Sequence, residues 1–175
     1  MGSKNKKNKK KHASSNGGGE TATTCEGAGS SSTPSFLGLL NAIAVAETEA
    51  ECYLTGWAAT TDDPDLAETL RFVAMREGEH GKAFAKRMLE LGYEVRWPDS
   101  GRVDARMAMA CSSMTDREKF SAFGIGNKPG GPDVFDAMFE DKNLDPVTGG
   151  LLGRYIAEER DSGRRLYAAR KALRS

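Results

Sequence analysis

The chain repeats itself, and an internal repeat obliges two distant segments to adopt one local structure. Displacing the sequence by 82 residues lays "DPDLAETLRFVAMREGEHGKAF" on "DPVTGGLLGRYIAEERDSGRRL" without a gap. Pro64 meets Pro146, Leu70 meets Leu152, Val73 meets Tyr155, Glu77 meets Glu159, Gly81 meets Gly163 and Phe84 meets Leu166. Each copy opens on Asp-Pro. The aspartate can cap the first backbone N–H groups of a helix, and proline suits the first turn, where its missing N–H costs nothing. Apolar residues then recur at three- and four-residue steps. In the first copy they are Leu66, Leu70, Val73, Phe84, Met88 and Leu91, before Gly92 closes the helix. In the second copy a helix is predicted over about Pro146 to Leu173, with the seam Leu152, Tyr155, Glu159, Ser162, Leu166. The stripe of the first copy is broken by Glu77 and His80, and the second keeps a carboxylate, Glu159, where the first has Glu77.

Upstream, a further helical seam reads Phe36, Leu40, Ile43, Glu47, Ala50, Leu54, Trp57, and Thr33-Pro34 is predicted to open it as cap and first helical residue. "TTDDPD" ends that helix and starts the next. So short a connection forces the two to lie antiparallel. With the turn centred near residue 62 or 63, position 77 faces about position 48, so Glu47, Glu77 and His80 converge. Burying such groups without partners costs about 2 to 7 kcal/mol for each neutral one, and more for a charge. A divalent cation offsets that cost by neutralising the carboxylates and taking the imidazole lone pair. Glu49 and Glu79 fall off the seams and are expected in solvent, whereas Glu51 lies at the seam edge, as an outer group.

The other half of the repeat is less complete. Glu47 meets Pro129, inside "GIGNKPGGPD", so a third long helix is predicted to be interrupted where its carboxylate belongs. Asp133, Asp136 and Glu140 are the nearest substitutes in sequence. Thr115-Asp116-Arg117-Glu118 forms a capping box for a helix to about Phe123, and a short helix is predicted over Pro132 to Asp141. Val103, Met107, Ala110 and Met114 suggest another.

These elements define an all-α fold over residues 34–175. Residues 1–33 hold six lysines and almost no large apolar side chain, so they are expected to form a disordered tail. The lysines outnumber Glu20 and Glu26, leaving the tail at about +4 and the remainder of this neutral chain at about −4. The lysine run can contact anionic surfaces, but without interleaved arginine or aromatic residues it does not point to specific nucleic-acid binding. No apolar run is long enough to enter and span a bilayer, and no apolar segment follows the lysines as in a secretory signal, so a cytoplasmic location is expected. Cys25, Cys52 and Cys111 are odd in number and lack a C-x-x-C pair, which removes a disulfide framework and a tetrathiolate site. Cys52 is expected to be a small buried residue.

Three further patterns fail. "DKNLD" at 141–145 imitates a calcium loop, but Pro146 stands where glycine must turn and Leu152 where the last glutamate belongs. The glycines of "GIGNKPGG" follow no predicted strand and precede no Gly-Lys-Ser/Thr, so they do not make a phosphate loop. A serine or cysteine hydrolase would have to use His80, and its place in a helix core argues against that.

Glu47 on the first helix, Glu77-x-x-His80 on the second, Glu159 on the last and the duplication together resemble the ferritin-like superfamily, the rubrerythrin and bacterioferritin group. The likeness is strongest over Phe36 to Tyr93 and weaker over Asp145 to Leu173. It implies an antiparallel four-helix bundle built from two helix-pair repeats, with the third helix interrupted here. It also implies an iron or manganese site, of one ion or an unequal pair, with Glu47, Glu77, His80 and Glu159 as ligands. Such bundles often dimerise, so a homo-oligomer is expected. The pattern departs from the family in two ligands: Ser162 stands for the second histidine, and the carboxylate of the third helix is missing. No rubredoxin-type cysteines are present. Three functions follow as expectations: a non-haem iron oxidoreductase or iron-handling protein, a metal-free bundle acting in association, and an oxygenase acting on an organic substrate.

Overall fold

The computed structural model describes residues 33–128 and 136–173, and every regular element among them is helical. They are α1 (Leu37–Thr60), α2 (Pro64–Glu90), α3 (Gly101–Ala110), α4 (Asp116–Phe123) and α5 (Pro146–Ala172), with a single 3₁₀ turn at Asp136–Phe139. The repeat is visible as geometry. α2 and α5 are both 27 residues long, and each starts with an aspartate, Asp63 or Asp145, whose carboxylate accepts two backbone N–H groups of the first turn. At the end of α2, Gly92 has φ 85°. The Gly92 N–H reaches Leu89 O and the Tyr93 N–H reaches Met88 O, which satisfies carbonyls the helix leaves unpaired.

α1 begins later than expected. Thr33 and Pro34 neither cap it nor enter it: the Leu37 N–H bonds Pro34 O in a turn, and Phe36 takes the cap position without a side-chain bond. The turn is held from outside the helix, because the Ser35 hydroxyl donates to Asp141. Between α2 and α5 stand the two short helices α3 and α4, where the pattern of Val103, Met107 and Ala110 and the capping box at Thr115 place them. α4 opens on the capping box of Thr115 and Glu118 and closes at Gly124, where φ is 70°. Of the short helix expected at Pro132 to Asp141, residues 132–135 lie outside the described residues, and the rest is the 3₁₀ turn. The tail, apart from Thr33, also lies outside them. No helix among the described residues is long and apolar enough to cross a membrane.

α1 packs chiefly against α2, α2 against α5, and α3 lies on α1. The apolar interior falls into two clusters. One gathers Tyr53, Leu54, Trp57, Leu70, Val73, Phe120 and Leu166, and the other gathers Phe36, Leu40, Ile43, Phe84, Met88, Leu152 and Ile156. Asp116 fastens α4 to the end of α1, accepting from Trp57 Nε1 at 2.6 Å and from the Thr61 hydroxyl at 2.7 Å. The expected seams are buried apart from Leu91 and Glu159, which are half-buried, and two residues off the seams depart from expectation. Glu49 is not in solvent: α3 covers it, and Arg102 donates to its Oε1 from Nη2 at 2.9 Å and from Nε at 3.2 Å. Cys52 is exposed rather than buried.

Candidate metal centre

Between the two apolar clusters lies a polar layer, one level thick, to which three helices contribute. α1 supplies Glu47, α2 supplies Glu77 and His80, and α5 supplies Glu159. One ligand-type atom from each of the four lies within 4.8 Å of all the others. Glu47 is 8% exposed, and Glu77 and His80 are each 5% exposed, so water does not solvate the layer freely. Side chains three apart on a helix share a face, which is why Glu77 and His80 point together.

The histidine is held at both ends. Its Nε2 lies 2.7 Å from Glu158 Oε2, while Nδ1 faces Glu159 Oε1 at 3.4 Å and Glu77 Oε2 at 3.7 Å. The Tyr155 ring stands edge-on to the imidazole with centroids 5.0 Å apart, and its hydroxyl donates to Glu47 Oε1 at 2.8 Å. Three buried atoms have no hydrogen-bond partner among the described residues: Glu77 Oε2, His80 Nδ1 and Glu159 Oε1. They are the atoms that face one another across the layer. Buried polar atoms without partners are uncommon because each forfeits its hydration.

The protons of the layer follow from this crowding. Burial, and then Glu77 beside it, push the Glu47 carboxyl up to about 10, against the pull of the Tyr155 hydroxyl. For His80, burial alone would favour the neutral ring, but Glu159, Glu77 and Glu158 outweigh it and carry the imidazolium up to about 10. Burial works to raise Glu77 as well, yet His80, Glu47 and Glu159 bring it below the usual carboxylate range. Glu159 is raised by burial and by the charge of Glu77, against the attraction of His80. A proton on Glu47 and another on His80 thus stand in for the positive charge the carboxylates need.

Sequence reading names all four of these residues but not their supports. Glu158 holds the imidazole, Tyr155 holds Glu47, and Arg76 donates from Nη1 to Glu158 O at 2.9 Å and to Ser162 Oγ at 3.1 Å. The signal was present in the repeat. Arg76 and Glu158 are partners under the 82-residue displacement, as are Glu77 and Glu159. α2 and α5 therefore meet at equivalent points, and the neighbours of each repeated glutamate are brought together. Of the groups expected nearby, Glu51 lies outside the layer, 37% exposed beside Lys82. Glu140 is exposed and outside it, while Asp133 and the side chain of Asp136 lie outside what the structure describes. Glu79 is exposed, as expected.

A helical fold with a buried carboxylate-histidine layer is the class these observations define. No protein-family model, curated protein or solved structure matches the chain.

Proposed function

We propose that the chain is a metal-binding helical protein of the ferritin-like type, holding one iron or manganese ion through Glu47, Glu77, His80 and Glu159. The observation that carries this reading is the convergence of Glu77 Oε2, His80 Nδ1 and Glu159 Oε1, buried and unpartnered, on one space. A divalent cation there would satisfy all three, and its charge would replace the two protons on Glu47 and His80. Three carboxylates and one imidazole suit iron or manganese better than a soft, thiolate-seeking ion. Glu158 would do for His80 what an outer carboxylate commonly does for a histidine ligand: it accepts a hydrogen bond from Nε2–H and fixes the ring so that the Nδ1 lone pair is presented inward. Tyr155 fixes one oxygen of Glu47 and leaves the other available.

A single ion fits better than a pair. Where the repeat would supply a second histidine it supplies Ser162, and the hydroxyl accepts from Arg76, whose guanidinium brings a fixed positive charge to that side of the layer. Bound there, iron or manganese would supply redox chemistry toward oxygen or peroxide.

The test is metal content by mass spectrometry after anaerobic reconstitution with Fe(II) or Mn(II), without a metal-affinity tag. About one ion per chain is expected, and none in a Glu77→Ala/His80→Ala variant whose helicity is checked by circular dichroism. A native chain that stays metal-free after reconstitution overturns the reading.

A further inference from the structure

Beside the polar layer lies a cavity of about 290 Å³, and its position follows from the repeat. Gly81 and Gly163 are repeat partners, and the first is pressed against α1: a Cβ there would meet Thr48 Oγ1 at 2.5 Å. A Cβ on Gly163 would meet nothing within 4 Å among the described residues. α5 thus lacks, at this level, the partner that α1 provides for α2, and the space left over is the cavity. Glu47, Glu77 and Glu159 form one end of it, while Leu54, Val73, Ile125 and Leu166 give it apolar walls.

Its remaining charged wall is Arg106 of α3. The guanidinium lies 5.3 Å from the centroid of the Tyr53 ring, and among the described residues it has no hydrogen-bond or ion-pair partner. The other arginine of α3 is used differently, since Arg102 is bonded to Glu49. Arg106 therefore presents a planar fork of unused donors, suited to a carboxylate, to a space with apolar sides. Tyr53 stands six residues beyond Glu47 on α1, about 9 Å along the axis, which limits a ligand reaching from the glutamates to the Arg106 fork over the Tyr53 ring to a small organic acid. A volume near 300 Å³ is at the small end of ligand sites.

We propose that this cavity binds a small monocarboxylate with an apolar body, its carboxylate on Arg106 and its far end at the glutamate-histidine layer. The orientation is set by charge. The guanidinium attracts the carboxylate with paired donors, the carboxylates of Glu77 and Glu159 at the other end offer it none, and the apolar walls take the body. Binding depends on Arg106 and the cavity alone. Only the chemistry done at the far end rests on the metal reading given above.

Hexanoate is the probe, titrated calorimetrically into the full chain both metal-free and after Mn(II) loading, with hexanol as the neutral comparison. Hexanoate is expected to bind in both states and in an Arg102→Gln variant, and to weaken about tenfold or more in Arg106→Gln, with hexanol similarly weak on the native chain. Arg106→Lys, which keeps the charge and loses the fork, should fall between. No binding to the native chain, or equal binding to Arg106→Gln, overturns the inference. So does binding that occurs only with Mn(II) and survives Arg106→Gln, because the carboxylate then sits on the ion. Hexanoate binding with no uptake of Mn(II) removes the metal reading alone, and Mn(II) uptake with no hexanoate binding removes this inference alone.

Discussion

His80 shows how the layer holds protons where its carboxylates crowd. In the metal-free chain both His80 and Glu47 hold protons up to about pH 10. Their ordinary values are 6.5 and 4.5, so between about pH 5 and pH 10 the folded chain binds more protons than the unfolded one. Stability then falls as pH rises through that window. Glu159, also raised, adds in the same direction, while Glu77 and Glu158, held low, act only as pH falls below the ordinary carboxylate range. A bound divalent ion needs the deprotonated ligands, so its affinity rises with pH, by about tenfold per displaced proton per pH unit. The charged and titratable groups around the layer include Tyr53 on α1, Arg76 on α2, and Tyr155 and Glu158 on α5, and burial pushes the Tyr53 hydroxyl up to about 12 and raises that of Tyr155. Chemical denaturation between pH 5 and 9 should therefore give a negative slope of stability on pH without metal. A flatter or positive slope is expected with saturating Mn(II). Equal slopes in the two conditions would mean that the ion does not displace these protons.

At the scale of the helices, the close approach of α1 and α2 is written in two glycines. A Cβ on Gly78 would meet the Glu51 carboxyl at 2.3 Å, and one on Gly81 would meet the Thr48 backbone N at 3.1 Å as well as its hydroxyl. Thr48 follows Glu47, so pushing it away displaces a carboxylate of the layer. Gly81→Ala should lower stability by about 1 to 3 kcal/mol and weaken Mn(II) binding, despite the better helix propensity of alanine. The repeat partner should respond oppositely: Gly163→Ala, with open space around it, should gain about 0.5 to 1 kcal/mol. Denaturation of the two single variants decides the matter, and a stabilising Gly81→Ala would refute the tight contact. This contrast also shows what was legible in the sequence. The caps Asp63 and Asp145, the capping box at Thr115 and the close at Gly92 are local, made by residues within a turn of one another, so the helix limits they set could be read. What failed depends on contacts distant in sequence. Ser35 is engaged by Asp141, which holds the turn before α1, and Glu49 is buried only because α3 brings Arg102 across it. Glu47, Glu77, His80 and Glu159 were readable as a group because each interrupts an apolar seam, whereas Glu158 and Arg76 lie off the seams and are recruited by the meeting of α2 and α5.

Taken as a whole, the molecule sets two equivalent stretches of sequence, in α2 and α5, against each other, and the donors they bring to the layer are unequal. Glu77 and Glu159 are repeat partners that meet in the layer, Glu47 and His80 complete its donors, and Ser162, the repeat partner of His80, accepts from Arg76. On the metal reading proposed above, a second ion would find no second imidazole here, because Ser162 offers only a hydroxyl already engaged by a guanidinium. Arg76 also accounts for the balance of charge, since it is paired with Asp161 at 3.1 Å and lies close to the Phe72 ring, held in place on both sides. A double variant, Ser162→His/Arg76→Ala, removes the fixed charge and returns the imidazole that the repeat implies. It should raise Mn(II) content from about one to about two ions per chain, with Glu77 and Glu159 shared. Ser162→His alone should do less, because Arg76 would still oppose a second cation. Metal analysis together with the electron paramagnetic resonance of Mn(II) checks this, as two coupled ions give a spectrum distinct from one. If the native chain already holds two ions, Arg76 does not exclude the second. If the double variant still holds one, Ser162 and Arg76 are not what limits the layer to a single ion.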